Sequence, residues 1–294
     1  MNKPSLPYLA FAGCALIWGS TFLVIRVGND TLAPLWACSL RLGLAALVLN
    51  LVLLVTGQRW PRGEGLRAAA LYGFWEFGLS MPLLYWAEHV VSSGLAAVVF
   101  AICPVMAMFA AKGMGLESFS PQRLGAALIA FAGVGIIFWR EFIHGGSPAG
   151  LVAIFLAAAT APIAGLTLQR GPRQSAIANN AIGSLVGFAS SLVFSFVLRE
   201  THPLPTSVPQ LVPVVYLALA GSAGAFVMFA WLVQRWPATT VAFIGVVIPV
   251  IAVVLGAVAR NEAFAPGSLG GAIVVLAGVA VVLKAPTAVK PAEA

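Results

Sequence analysis

Charge is what this sequence has least of. Only 9% of its 294 residues are Asp, Glu, Lys or Arg, whereas 61% are hydrophobic. A soluble domain carries about 25% charged residues, so a water-soluble globule is excluded. Acidic groups are the scarcest, with one aspartate, Asp30. Histidine is almost missing as well: His89, His144 and His202 stand singly on connections. His89 with the adjacent Glu88 reads as a solvated helix cap. Metal centres need clustered ligands, and hydrolytic sites need a nucleophile, a base and an orienter within reach. Neither pattern occurs, so no catalytic residue, metal or cofactor is expected. Cys14, Cys38 and Cys103 lie in apolar stretches without CxxC spacing and read as buried free thiols. There is no nucleotide-binding loop to make the chain ATP-driven, and no polar stretch of ~50 residues that could form a soluble head. The net charge of +7 is spread over connections. It therefore reflects membrane orientation, where a nucleic-acid partner would want a basic face on a soluble domain.

What is present is apolar sequence in long runs. Ten stretches are long enough for a ~30 Å hydrocarbon core: Tyr8–Val27, Ala33–Val55, Arg67–Ala87, Ser92–Ala111, Pro121–Trp139, Ser147–Leu168, Ile177–Leu198, Leu211–Gln234, Ala238–Ala259 and Pro266–Leu283. They are near-continuous in Ala, Leu, Val and Gly, while a membrane barrel would alternate apolar and polar in strands of ~10 residues. The first stretch, at about twenty residues, is longer than the ~7–15 of a signal-peptide core. The expectation is an all-α integral membrane protein.

The chain also contains itself twice. Trp86–Trp139 and Trp231–Lys284 match without a gap at one offset (231 − 86 = 145), and shared residues include Trp86/Trp231, Pro104/Pro249, Glu117/Glu262, Phe119/Phe264, Pro121/Pro266, Gly125/Gly270 and Gly133/Gly278. Ten helices in two copies give five per copy. An odd number turns the second copy upside down, the plan common among alternating-access carriers. The division is expected at residues 1–144 and 145–294. Lys3, Arg59, Arg62, Arg67, Lys112, Arg123, Arg170, Arg173, Arg235, Lys284 and Lys290 fall on one side, and Arg26, Arg140, Arg199 and Arg260 on the other. By the positive-inside rule both termini are cytoplasmic.

The WGSTF run of Trp18–Phe22, the intramembrane Arg41, the helices of Pro104 and Pro249, and the segments Glu117–Gly125 and Glu262–Gly270 together resemble the ten-helix EamA-type members of the drug/metabolite transporter superfamily. Within it the chain looks most like the YddG-type aromatic amino acid exporters. The resemblance implies two EamA repeats, cytoplasmic termini and export of a small metabolite across a bacterial inner membrane.

Ionisable groups inside a membrane cost about 2.5–3.5 kcal/mol or more at the centre and so mark sites. Arg41 and Glu76 qualify. They lie at similar depth, which leaves two readings open: an Arg41–Glu76 structural pair, or Glu76 facing a cavity where it meets an ammonium group or a proton. Tyr72, Trp75, Glu76 and Leu79 recur at steps of three and four and are expected on one face. Trp18 and Trp75 lie mid-helix, where an indole N–H needs a partner. Trp36, Trp60, Trp86, Trp139, Trp231 and Trp236 read as interfacial belt residues. The expected substrate cavity lies between helices 1, 3 and 4 and helices 6, 8 and 9, drawing on Trp18, Ser20, Tyr72, Trp75 and Glu76 with Thr160, Ser222, Phe226 and Phe243. Pro104 and Pro249 each remove a backbone hydrogen bond and are expected hinges; Pro162 is a further candidate bend. Gly125, Gly133, Gly135, Gly270, Gly271 and Gly278 read as packing positions of helices 5 and 10, against each other or a second protomer. The partners expected are a small-molecule substrate, the bilayer and, as an option, a second copy in a homodimer. The expected cargo is an aromatic amino acid, with a nucleobase, another amino acid or a drug as the alternative; the competing classes are a channel, though no filter-like loop or charged ring is present, and a membrane scaffold or lipid-handling protein.

Overall fold

The computed structural model describes residues 6–139, 146–260 and 266–283. Arg140, His144, Lys3, Lys284, Lys290, Glu262 and Phe264 lie outside these, as does the expected division point at residues 144 and 145. Apolar runs become helices because a backbone in lipid must satisfy its own hydrogen bonds. Ten result: α1 (Leu6–Asn29), α2 (Pro34–Val55), α3 (Glu64–Gly73, Phe74–Ser80 and Met81–Val90), α4 (Ser93–Phe100 and Cys103–Gly113), α5 (Pro121–Ile137), α6 (Pro148–Arg170), α7 (Ala176–Val197), α8 (Val208–Tyr216, Leu217–Ala225 and Phe226–Val233), α9 (Ala238–Val241 and Ile244–Arg260) and α10 (Pro266–Leu283). Serine starts several of them. Ser92, Ser120, Ser147 and Ser175 each accept from the backbone N–H three residues on, and Pro121 and Pro148 follow at the first helical position, where no N–H is needed.

The helices pack in pairs that map onto each other when helix numbers are exchanged by five. Thus α2 lies on α7 and α5 on α10; α1 meets α9 as α6 meets α4; α3 meets α7 as α8 meets α2; and α3 meets α6 as α8 meets α1. The protein is two inverted five-helix repeats around a pseudo-twofold axis. Close approach on that axis depends on glycine. A Cβ at Gly133 would lie 2.8 Å from the Gly271 carbonyl, and one at Gly278 would lie 2.8 Å from the Ala126 carbonyl. These contacts are symmetry mates at the 145 offset. Gly125, Gly135 and Gly270, by contrast, have open space where a side chain would go, so only half of the expected packing glycines pack.

Four helices are irregular. Both α3 and α8 widen into π-helix, over Phe74–Ser80 and Leu217–Ala225, and the two segments end at matched positions, Ser80 and Ala225. A π turn needs five residues where an α turn needs four, which rotates the rest of the helix and dissolves the stripe of Tyr72, Trp75, Glu76 and Leu79. Helix α4 is interrupted at Ala101 and Ile102, and α9 at Ala242 and Phe243. Pro104 opens the second part of α4 and has no N–H to offer Phe100, so the interruption follows from it. Pro249 lies inside the unbroken Ile244–Arg260, and the α9 interruption precedes it. Trp236, expected in the interfacial belt, is buried against Tyr8 and Phe11.

Candidate functional site

A cavity of about 100 Å³ lies where the two repeats meet. Each repeat lends three helices. Trp18, Thr21 and Phe22 come from α1, Glu76, Met81 and Leu84 from α3, and Phe100 and Cys103 from α4. Across from them stand Pro162 of α6, Phe226 and Phe229 of α8, and the start of α9 up to Ile248. Phe100 and Gly245 are mates at the 145 offset. They touch where α4 and α9 cross, since a Cβ at Gly245 would lie 3.1 Å from the Phe100 carbonyl.

The wall is apolar and aromatic. The Trp18 ring stands 4.7 Å from Phe226 and 5.6 Å from Phe229, centroid to centroid, and its indole N–H donates to the Gly221 carbonyl at 3.4 Å. Among the described residues, Glu76 is the one charged residue lining the cavity. Its carboxylate makes no hydrogen bond and no ion pair among the described residues. Glu76 lines the cavity, and Arg41 is not within ion-pairing reach of it. Arg41, 1% exposed, donates from Nε to Ser222 Oγ at 2.8 Å and from Nη1 to Tyr85 OH at 3.4 Å, and its Nη2 has no partner.

Trp18, Glu76 and Phe226 therefore come together, while the other sequence candidates do not line the cavity. Tyr72 is fully buried and donates to Asn180 Oδ1 at 3.0 Å. Trp75 turns to Phe74. Ser20 donates to the Ile17 carbonyl at 2.7 Å and shares a 2.6 Å bond with Tyr216 OH. Thr160 bonds back to the Leu156 carbonyl at 2.9 Å, Ser222 holds Arg41, and Phe243 is buried at the α9 interruption. Sequence reasoning missed Thr21, Phe22, Phe100 and Phe229. A signal existed for two of them, since Thr21 follows Trp18, and Phe229 follows Phe226, by three positions on one helix face.

Polar clusters lie at both ends of the cavity. On the face that carries the start of α1, Glu117 Oε2 accepts from Arg123 Nη1 at 3.3 Å and from Thr239 Oγ1. Arg123 Nη1 also donates to Thr239 Oγ1 at 3.1 Å. This ties the α4–α5 connection of one repeat to the start of α9 in the other. On the opposite face Ser93 Oγ donates to Glu88 Oε2 at 3.2 Å and to the Phe22 carbonyl at 3.3 Å, and Arg26 Nη1 donates to the Glu88 and His89 carbonyls at 2.5 and 3.3 Å. Glu88 is completely buried rather than solvated as the sequence suggested, because α1 and the start of α4 close over it.

The profile of the EamA-like transporter family matches residues 5–139 and again residues 148–284. The chain belongs to the EamA-like transporter family. It is 28% identical over 242 residues to the uncharacterized inner membrane transporter YedA of Escherichia coli K12, covering 82% of this chain and 78% of that one. Similarity extends at 26% over 265 residues to the "Probable terminal-alkyne amino-acid exporter" of Streptantibioticus cattleyicolor, covering 89% of this chain and 88% of the relative. At 27% over 269 residues it reaches the S-adenosylmethionine/S-adenosylhomocysteine transporter of Chlamydia trachomatis serovar L2, with 87% and 82% covered. A solved crystal structure superposes with a TM-score of 0.79 over 96% of this chain and 99% of the other at 18% identity, which speaks for the fold alone. This EamA-family chain is a membrane transporter of small molecules.

Proposed function

We propose that this transporter exports small amphipathic metabolites carrying an ammonium group, aromatic amino acids foremost, across a bacterial inner membrane by alternating access. The observation that carries the reading is Glu76: an unpaired carboxylate in an aromatic-lined cavity between the repeats. A buried charge of this kind costs several kcal/mol unless something compensates it, and a cationic group of the cargo does so. The indole and phenyl rings of Trp18, Phe226 and Phe229 suit a flat apolar side chain. Two relatives are named for cargo built on an α-amino-acid group, which supports the same chemistry without choosing among cargoes. Other amino acids and adenosyl amino acids are the alternative.

The basic residues on connections favour cytoplasmic termini, which would make the Glu117–Arg123–Thr239 cluster the cytoplasmic closure and Glu88–Ser93 the external one. A cavity of about 100 Å³ is smaller than the ~300 Å³ of an ordinary ligand site, so loading requires helices to part. The interruptions of α4 and α9, with Pro104 and Pro249, are where bending is expected.

The test is flux into sealed vesicles holding purified protein, with labelled phenylalanine, tryptophan, threonine and adenine, with and without an imposed pH gradient. Saturable flux of the aromatic amino acids, lost in Glu76→Gln at unchanged abundance, is the expected result. Undiminished flux in that variant would remove Glu76 from the site, and adenine flux alone would replace the cargo. A dependence on the pH gradient would show that protons drive export.

A further inference from the structure

Glu76 and Gly221 occupy matched positions of α3 and α8 at the 145 offset, both within the paired π-helical segments. One repeat presents a carboxylate to the cavity from this position. The other presents no side chain, and the space is taken by Arg41 from α2: a Cβ at Gly221 would lie 3.0 Å from Arg41 Nη2 and 3.4 Å from the methyl of Thr21, a cavity residue. Opposite charges thus occupy pseudo-symmetric places, with Glu76 on the cavity wall and the Arg41 guanidinium against Gly221. Arg41 Nε and Nη1 are engaged by Ser222 and Tyr85, neither of which carries charge, and Nη2 is buried with no partner. No carboxylate lies within ion-pairing distance of Arg41 among the described residues. A guanidinium held in place by two neutral groups with its remaining nitrogen unpaired is preorganised for an anion, and it is suited to a carboxylate.

We propose that Arg41 is a substrate-binding residue that receives the carboxylate of a solute whose ammonium group meets Glu76. The cavity then selects zwitterions: α-amino acids, or larger molecules that carry an α-amino-acid group. The proposal rests on the export reading above and adds the anionic half of the site. Arg41 is not itself on the cavity wall; its Nη2 and the methyl of Thr21, a wall residue, both lie against Gly221, and the proposal requires the wall to yield when the cavity widens to admit cargo.

The experiment compares labelled tryptophan, tryptamine, which lacks the carboxylate, and indole-3-propionate, which lacks the ammonium, in sealed vesicles of the full-length protein. Wild type is expected to carry tryptophan about tenfold faster than either analogue or more, because a site built for a polar group rejects the molecule lacking it. Arg41→Gln lowers tryptophan flux to the tryptamine level and leaves tryptamine flux where it was; an arginine that only held the fold would lower both alike. Should Arg41→Gln fail to fold, Gly221→Ala gives the same readout by pushing Nη2 from its place while keeping the charge. Tryptamine moving as fast as tryptophan in wild type, with both lost in Glu76→Gln, overturns this proposal and leaves the export reading standing. Absence of flux for all three removes both.

Discussion

Glycine positions give the sharpest forecasts for single side chains, because here space rather than helix propensity decides. A Cβ at Gly73 would lie 2.5 Å from the Gly183 Cα, backbone against backbone. Alanine gains up to about 1 kcal/mol in an open helix, but overpacking costs about 1–3 kcal/mol, and no flexible atom can yield at this place. Gly73→Ala should therefore lower the thermal unfolding midpoint of the detergent-solubilised protein, whereas Gly125→Ala, with open space around it, should leave it unchanged or raise it. Equal midpoints for the two would show that α3 and α7 are not in contact. Glu76 was legible in the sequence because charge within an apolar run has few bland explanations. Glu88 was not. Its neighbour His89 and its place at a helix end pointed to water, and only the fold brings Phe22 and Ser93 over it. Tyr72 and Trp75 do not line the cavity, since the three-and-four spacing that united them with Glu76 presumes one continuous α-helix and the chain turns π-helical at Phe74.

Helices as units were read to within about three residues at each end, because ~20 apolar positions in lipid allow one outcome. Their irregularities were not, since neither π segment has a proline to announce it. The ends of these helices carry the proposed closures, and these differ in kind. Glu117 and Arg123 form an ion pair with Thr239; at the matched places of the other repeat stand Glu262, Ser268 and Gly94. Losing a hydrogen bond to a charged group costs about 1.5–3 kcal/mol, enough to shift a two-state equilibrium about tenfold or more. Thr239→Val should accelerate alkylation of Cys103, a cavity cysteine, by about that factor when a membrane-impermeant maleimide is supplied on the face that carries the start of α1. Ser93→Ala, which releases both Glu88 and the Phe22 carbonyl, should do so from the other face. If Thr239→Val speeds labelling equally from both faces, the cluster contributes to general stability and does not close one side.

Taken as one body, the duplication was the most legible property of all: matched tryptophan, proline and glutamate residues revealed it before any coordinates. What it could not reveal is where the halves differ. Helix α4 is interrupted just after Phe100, while α9 is interrupted just before Gly245, its symmetry mate; in the frame of the repeat the two interruptions stand four positions apart, about one helical turn. Hydrogen exchange read by mass spectrometry should therefore find Ala101 and Ile102 more labile than Val246 and Val247, and Phe243 more labile than Val98. Equal exchange across each matched pair would mean that the two halves share one shape on the experimental timescale.

The displaced interruptions also bear on the alternating cycle proposed above. In that cycle the two halves would trade conformations, with α4 bent at Ala97 and Val98 and α9 at Val246 and Val247. Such an exchange would carry the kink along each helix by a single turn, past the crossing of Phe100 and Gly245, while the crossing itself stays fixed. A transport cycle of this kind resembles a crease passed back and forth between two sheets, and it needs no hinge that belongs to either half alone.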